Sequence, residues 1–311
     1  MRAMSLLFPG QGSQAAGMGR DVADADKDAM ELWKKAENIS GLPLREICWE
    51  GDEKAMSDTK VLQPALTVFC LTLWQQLSKH VSPSACAGHS LGEYSALAAA
   101  GVLDAETTLK LVSLRGALMA ESDPDGRGAM AAIVKLPLEK VEEIVASVAE
   151  ETGRVLIVAN YNTPGQYVIS GDKDAVDMAG ARAKEIKGRA LPLAVSGAFH
   201  SPLMKEAADQ LAAHMRKAVW RKPSCPVYSN VTATGLTDGE SIRDCMLSQM
   251  TSSVRWIDII RTQYADGQRS FLEIGPKAVL SKMTGRILEG VPAEEYTSSV
   301  VSTLEQAGEL A

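Results

Sequence analysis

The sequence predicts an α/β fold in two parts: a larger one built around a serine on a strand-to-helix turn, and a smaller one inserted into it. Three observations predict it. Gly88-His89-Ser90-Leu91-Gly92 is a G-x-S-x-G between a short apolar run at 84–87 and the helix-forming run LGEYSALAAA at 91–100. In such an elbow the serine hydroxyl is exposed and the next N–H is free to meet an oxyanion. Side chains at the two glycines would collide where strand and helix approach closely. Residues 129–195 read as β-α-β-β-α-β, the order of a ferredoxin-like unit. Between these two stretches lies the breaker cluster Ser122-Asp123-Pro124-Asp125-Gly126-Arg127-Gly128. The expected domains are therefore 1–125 with 197–311, and 126–196 between them. A plain helix start with Ser90 as its cap is the competing reading of the elbow.

The elements follow in order. Residues 5–8 read as a strand running into Pro9-Gly10-Gln11-Gly12-Ser13-Gln14, whose glycines let backbone approach a ligand. This loop lacks the Lys-Ser/Thr ending of a phosphate-binding loop, and by itself it reads as a plain surface turn. Residues 21–38 and 62–79 are helical. In the second, Leu66, Phe69, Cys70, Leu73 and Leu77 mark a buried face, and Pro64 falls in the first turn, where it is tolerated. Asp104 is a good N-cap for a helix running to 121. In the insert, strands at 129–134, 155–160, 166–170 and 190–195 alternate with helices at 137–151 and 172–186. A turn is expected at 162–165 and a cap at Asp172. A helix at 203–219 and strands at 225–230 and 269–273 follow, and 249–256 bridges two helices. The last twenty residues carry no readable chemistry.

Composition narrows the function. The chain has 311 residues, 46% of them hydrophobic and 23% charged, which suits a globular protein with a large core. No apolar run approaches the ~18 residues of a membrane span, and the apolar part of 1–8 is too short for a signal peptide. The five cysteines are scattered and odd in number, with no C-x-x-C, so reduced thiols in a cytoplasm are expected, and neither disulfides nor a zinc site. A net charge of −7 does not suit nucleic acid. Of the four histidines, His80 and His214 lie on or at the end of polar helix faces, and His89 sits inside the elbow, where it packs. His200, on a Gly-rich approach to a helix, is the best candidate for a base. Arg115 falls among Leu111, Val112, Leu114, Leu118 and Met119; it either snorkels to solvent or clamps a carboxylate in a cleft.

Taken together, Phe8-Pro9-Gly10-Gln11-Gly12-Ser13-Gln14, Gly88 to Tyr94, Ala198-Phe199-His200-Ser201 and Glu273-Ile274-Gly275-Pro276 resemble, in order, the motifs of the malonyl-CoA:acyl carrier protein transacylases. Gln249 lies in a stretch similar to that family's Q-L-T-x-P-V-R-W, with Ser253 where proline is usual. The resemblance spans about residues 4–290 and implies an α/β-hydrolase-like large domain with a ferredoxin-like insert. It implies Ser90 as the acyl-accepting nucleophile, His200 as its base, and Gln249 as the residue whose carbonyl orients the histidine. Gln11 and Leu91 would supply oxyanion-hole N–H groups and Arg115, with Met119, the malonyl carboxylate site. Asn160 and Asn162 would line the cleft, and Phe199 would crowd a branched acyl group. Malonyl-CoA and an acyl carrier protein are the implied partners, with no cofactor beyond the coenzyme A of the substrate, no metal and no nucleic acid or membrane. A serine thioesterase, a non-catalytic carrier-protein or coenzyme A binding module, and the same transfer with another acyl group are the rivals. Lys184, Lys187, Arg189, Lys277, Lys282 and Arg286 are candidate contacts for an acidic carrier protein.

Overall fold

The computed structural model describes residues 2–310 and contains two sheets. Their strands, in chain order, are β1 (Arg2–Phe8), β2 (Val81–Gly88), β3 (Gly128–Val134), β4 (Leu156–Thr163), β5 (Gln166–Asp172), β6 (Arg189–Pro192), β7 (Val227–Tyr228), β8 (Gly235–Leu236), β9 (Ser270–Ile274) and β10 (Thr297–Val301). The larger sheet runs β10-β9-β1-β2-β7-β8 and is parallel except for the β7–β8 pair. Parallel strands need cover on both faces, and β1 shows it. Leu6 and Phe8 pack with Trp33, Leu66 and Phe69 of the Lys27–Ser40 and Thr59–Leu77 helices. Leu7 faces the other way, into a core with Ile259, Ile260 and Leu280 of the Trp256–Ala265 and Leu280–Ile287 helices. Phe8 pairs with Gly88 across the β1–β2 ladder, so the loops after both strands open on one edge. That carboxyl edge is where open α/β sheets bind ligands.

The smaller sheet, β4-β5-β3-β6, is antiparallel throughout. Its order is fourth, first, third and second in reverse, as expected of a ferredoxin-like unit. The Leu138–Thr152 and Lys173–Glu185 helices bury Val141, Val145, Val148, Ala175, Val176 and Ala179 against Ala131, Ile133, Val158 and Ile169 of the sheet. A strip from the large part then docks on the edge of β4. Val254 N–H donates to Ala159 O (2.8 Å), Tyr161 N–H donates to Val254 O (2.9 Å), and the Ser253 hydroxyl donates to Val158 O (2.7 Å). The seam between the two sheets thus carries main-chain hydrogen bonds. Among the described residues no helix is long and apolar enough to cross a membrane.

Several expected boundaries move, each for a local reason. The helix expected at 21–38 is two, Arg20–Ala25 and Lys27–Ser40, because Asp26 turns extended and its carboxylate caps the second at Asp28 and Ala29. Asp58 caps the next helix three residues earlier than expected, which leaves Pro64 in its second turn. Asp104 caps as expected, accepting from Thr107 N–H. Asp172 stands at the N-cap position but does not cap; its carboxylate accepts instead from Val155 N–H (2.8 Å). β4 runs on to Thr163, so only Pro164 and Gly165 turn. β6 stops at Pro192, since Val195 N–H folds back onto Leu193 O (3.0 Å). The helix expected at 203–219 begins as a 3₁₀ turn, Pro202–Met204, and its α part is Lys205–Met215. The strand expected at 225–230 is only Val227–Tyr228. β10, an edge strand in the last fifteen residues, gave no sequence signal.

Candidate active site

Ser90 follows β2 with φ at 52°, in the left-handed region that side chains disfavour. The turn is held by crowding. A Cβ on Gly88 would stand 1.9 Å from the Gly92 carbonyl carbon, and one on Gly92 would stand 1.9 Å from Phe8 O. Hydrogen bonds reinforce it: Ser90 N–H donates to Asn230 Oδ1 (2.7 Å), and Asn230 Nδ2 donates to Gly88 O (2.7 Å). Beside it, the Gln11 loop turns on Gly12 (φ 99°), with the Ser13 hydroxyl donating to Gly10 O (2.6 Å). Among the described residues, the N–H groups of Gln11 and Leu91 donate to no protein acceptor.

His200 is also left-handed (φ 60°) and only 4% exposed. Its Nε2 lies 2.7 Å from Ser90 Oγ, and its Nδ1 meets the carbonyls of Gln249 (3.2 Å) and Ser252 (3.0 Å). Carbonyls only accept, so Nδ1 carries the proton and Nε2 turns its lone pair to the serine. Burial, then the charge of Arg115, then His89 push the imidazole pKa down to about 3. The ring is therefore neutral and able to take a proton at ordinary pH. Ser252 is a second orienting carbonyl beside the expected Gln249; nothing in the sequence distinguished it from its neighbours.

Arg115 does not snorkel. It is 1% exposed, with Nη2 3.1 Å from Ser90 Oγ and Nη1 donating to Gln63 Oε1 (2.9 Å), while Nε has no partner. Its guanidinium also lies over the Tyr94 ring, 5.7 Å from the centroid. Gln11, Ser90, Leu91, Arg115, Met119, Asn160, Phe199 and His200 line one cavity of ≈ 100 Å³, completed by His89, Met130, Leu193 and Val195. At about three water volumes it has room for a short acyl group. Asn162 stands one layer back, its Oδ1 accepting from His89 Nε2 (2.8 Å). His89 packs edge-on against Trp256 and burial lowers its pKa, in keeping with a structural role. A larger cleft of ≈ 800 Å³, lined by Tyr161, Tyr167, Arg255 and Arg261 among others, contains neither Ser90 nor His200.

Behind the serine lies a buried polar layer. Gln249 Nε2 donates to Ser90 O (2.9 Å) and Glu93 Oε2 (2.8 Å), and Asn230 N–H donates to Glu93 Oε1 (3.1 Å). Burial pushes the Glu93 carboxyl up to about 7, against the hydrogen bonds of Gln249 and Asn230 and the charge of Arg115. The sequence held one sign of it: an acid in the first turn of an otherwise apolar helix. Asn230 left none, because its partners lie 137–142 residues away. Among the described residues no group of three or more His, Cys, Asp or Glu could hold a metal ion.

Known proteins share this arrangement of elements. Residues 6–307 match the acyl transferase domain family. The malonyl CoA-acyl carrier protein transacylase of Haemophilus influenzae is 40% identical over 297 residues, covering 94% of this chain and 95% of that one. The crystal structure of an acyl carrier protein S-malonyltransferase from Vibrio cholerae superposes with a TM-score of 0.91 at 37% identity, over 99% of both chains. A malonyl-transacylase solved in complex with its type II PKS acyl-carrier protein also gives 0.91, at 36% identity over 100% of this chain and 99% of that one.

Proposed function

Because the chain belongs to the acyl transferase domain family, among its malonyl CoA-acyl carrier protein transacylases, we propose that it moves a malonyl group from malonyl-CoA to the pantetheine thiol of an acyl carrier protein, through a malonyl-serine, in fatty acid synthesis. The observation that carries the reading is the 2.7 Å contact of Ser90 Oγ with His200 Nε2, beside the buried guanidinium of Arg115. His200 Nε2 takes the Ser90 proton as Oγ bonds the thioester carbon. The displaced electron pair rests on the carbonyl oxygen, held by the N–H groups of Gln11 and Leu91, each such donor lowering the barrier by about 3 kcal/mol. As the tetrahedral centre collapses, the C–S bond breaks and the coenzyme A thiolate leaves with the proton from His200. The carrier's thiol then runs the sequence in reverse, giving its proton to His200 and restoring Ser90. The balance closes with protein groups and the two thiols, so the reading needs no cofactor. Gln249 and Ser252 hold the base in its tautomer, and Asn160, Met119 and Phe199 shape the acyl cavity.

Arg115 supplies the acyl choice. A malonyl carboxylate buried without a partner would cost several kcal/mol, and a guanidinium meets it with two parallel charge-assisted bonds. A general esterase or thioesterase gains nothing from such a cation in its acyl pocket. The proposed division into 1–125 with 197–311 and 126–196 puts the site at the seam of the two parts. The proposed compartment is the cytoplasm, where free thiols such as these five stay reduced. The test is a transfer assay: purified protein, malonyl-CoA and a holo acyl carrier protein should give malonyl-carrier and free coenzyme A in equal amounts. Release of free malonate at the same rate with or without carrier would make the protein a thioesterase instead.

A further inference from the structure

The polar layer behind Ser90 has a direction. Arg115 Nη2 donates to Gln249 Oε1 (3.4 Å), and the same amide donates onward through Nε2 to Glu93 Oε2 (2.8 Å) and Ser90 O (2.9 Å). A guanidinium can only donate and an ionised carboxylate can only accept, so the two charges fix which way the amide faces. All three side chains are buried: Glu93 is 2% exposed, Gln249 1% and Arg115 1%. Glu93 itself is fixed through Asn230, whose N–H holds its second oxygen (3.1 Å) and whose side chain bridges Gly88 and Ser90. Beside Nη2, the Arg115 Nε is buried and unpartnered. Nε with Nη2 is one edge of the fork by which a guanidinium takes a carboxylate through two parallel bonds.

We propose that Glu93 is a positioning residue for acyl selectivity: through the Gln249 amide it sets the direction of the Arg115 guanidinium, and so keeps the fork free for the carboxylate of the acyl group. This rests on the malonyl-transfer reading. Glu93 accepts with both oxygens, from Asn230 N–H and from Gln249 Nε2. In Glu93→Gln one of them becomes an NH₂. With the oxygen on Asn230 N–H, donor meets donor at Gln249 Nε2 and the Gln249 amide is driven to turn. Turned, it presents an NH₂ to Arg115, where donor meets donor, and the guanidinium must swing away. An acetyl group makes no use of the fork and loses little. The charged and titratable groups around Glu93 are Arg115 on the Ala105–Glu121 helix, Cys245 on the Gly239–Ser248 helix and its neighbour Tyr94, with His200 beyond Arg115. Burial raises the pKa of the thiol and the phenol, and His200 is neutral down to about 3. The carboxyl of Glu93, pushed up to about 7, is therefore the one that changes charge near neutrality. Once protonated, it has lost the charge that orders the relay, as glutamine has.

The experiment is the rate of serine loading from malonyl-CoA and from acetyl-CoA, by quenched mass spectrometry, in wild type and Glu93→Gln at about pH 6 and 8, one unit either side of that value. At the higher pH the variant should lose about tenfold or more of the malonyl-to-acetyl ratio. Its acetyl rate should change by less than about threefold. The wild-type ratio should fall towards the variant's as pH falls, and the variant's should stay flat. Equal losses for both thioesters, an unchanged ratio, or a variant whose ratio still falls with pH would each overturn the proposal. If Glu93→Gln does not fold, the wild-type pH series decides, and a constant ratio overturns it. Wild type that loads neither thioester removes the transfer reading itself, which is a different failure from a malonyl preference that ignores residue 93.

Discussion

Ser90 and His200 share a left-handed backbone, at φ 52° and 60°, yet they are held by different means. The serine is fixed by close packing. Its turn closes against Gly92 and Phe8, with no room for a Cβ on Gly88 or Gly92, and Asn230 ties it from within the large part. The histidine is fixed at long range, by carbonyls of Gln249 and Ser252 about fifty residues on. The strip carrying those carbonyls is tied to β4 of the small sheet by Ser253 and Val254. Under the proposed mechanism, the nucleophile's place rests mainly on close packing within the large sheet, whereas the base's place depends on the seam. Damage to the elbow should therefore cost folding, and damage to the seam should cost rate.

The largest expected effect breaks the elbow. In Gly88→Ala the new Cβ would stand 1.9 Å from backbone at Gly92, so the strand–helix junction must open. We expect at least about 3 kcal/mol of destabilisation or failure to fold, read by thermal melting. The matching change near the base, Gly197→Ala, meets nothing nearer than the Ser122 hydroxyl at 3.3 Å. It should melt within a few degrees of wild type; similar losses in both variants would erase the contrast between support by packing and support by hydrogen bonds.

Next comes the cation. Arg115→Ala should cut malonyl loading by about a hundredfold or more, because a charged substrate group is left unpaired, and it should let acetyl-CoA compete. Competition between the two thioesters on the variant reads this directly, and an intact malonyl preference would place the carboxylate elsewhere. Phe199→Ser should act more gently, easing exclusion of a methyl branch by about tenfold, the value of one methylene in a pocket.

A third prediction concerns pH. Burial pushes the His200 imidazole from its ordinary 6.5 down to about 3 in the folded protein. Between those values the unfolded chain binds a proton that the folded one does not, so the histidine's contribution to stability is lost as pH falls. His200→Asn should melt with a smaller acid-side drop than wild type, and an equal drop would mean that the ring is solvated. Ser253→Ala tests the seam. It removes one hydrogen bond to Val158 O, worth about 1 kcal/mol. Serine loading should slow a few-fold as the Ser252 carbonyl loosens. The smallest effect is expected at the exposed Lys184, Lys187, Arg189, Lys277, Lys282 and Arg286. Reversing two or three of these should raise KM for carrier protein at low salt and leave serine loading unchanged.

Legibility in the sequence followed the same division. The elbow and the βαββαβ order are contiguous stretches whose residue types have a local physical reason, and the structure has them where expected; the Gln11 loop, by itself a surface turn, stood out only through its resemblance to the family's motif. Arg115 was visible as a charge on an apolar helix face, but snorkelling and clamping leave the same pattern; only its burial decides. Asn230, Ser252 and Gln63 were not visible, because each acts through a partner 52 to 142 residues away and none belongs to a spaced motif. Asp26 and Asp172 fail in opposite ways. Asp26 caps a new helix inside a stretch that reads as one, whereas Asp172 stands at the N-cap position but gives its carboxylate to Val155 N–H.

The account stands most directly on where the acyl group goes. Intact-protein and peptide mass spectrometry after brief mixing with malonyl-CoA, without carrier protein, should find one malonyl group per chain, on the peptide containing Ser90. Ser90→Ala should carry none while melting like wild type, and adding holo carrier protein to the loaded wild type should discharge it. A malonyl adduct that survives Ser90→Ala, or one that carrier protein cannot remove, would contradict the account.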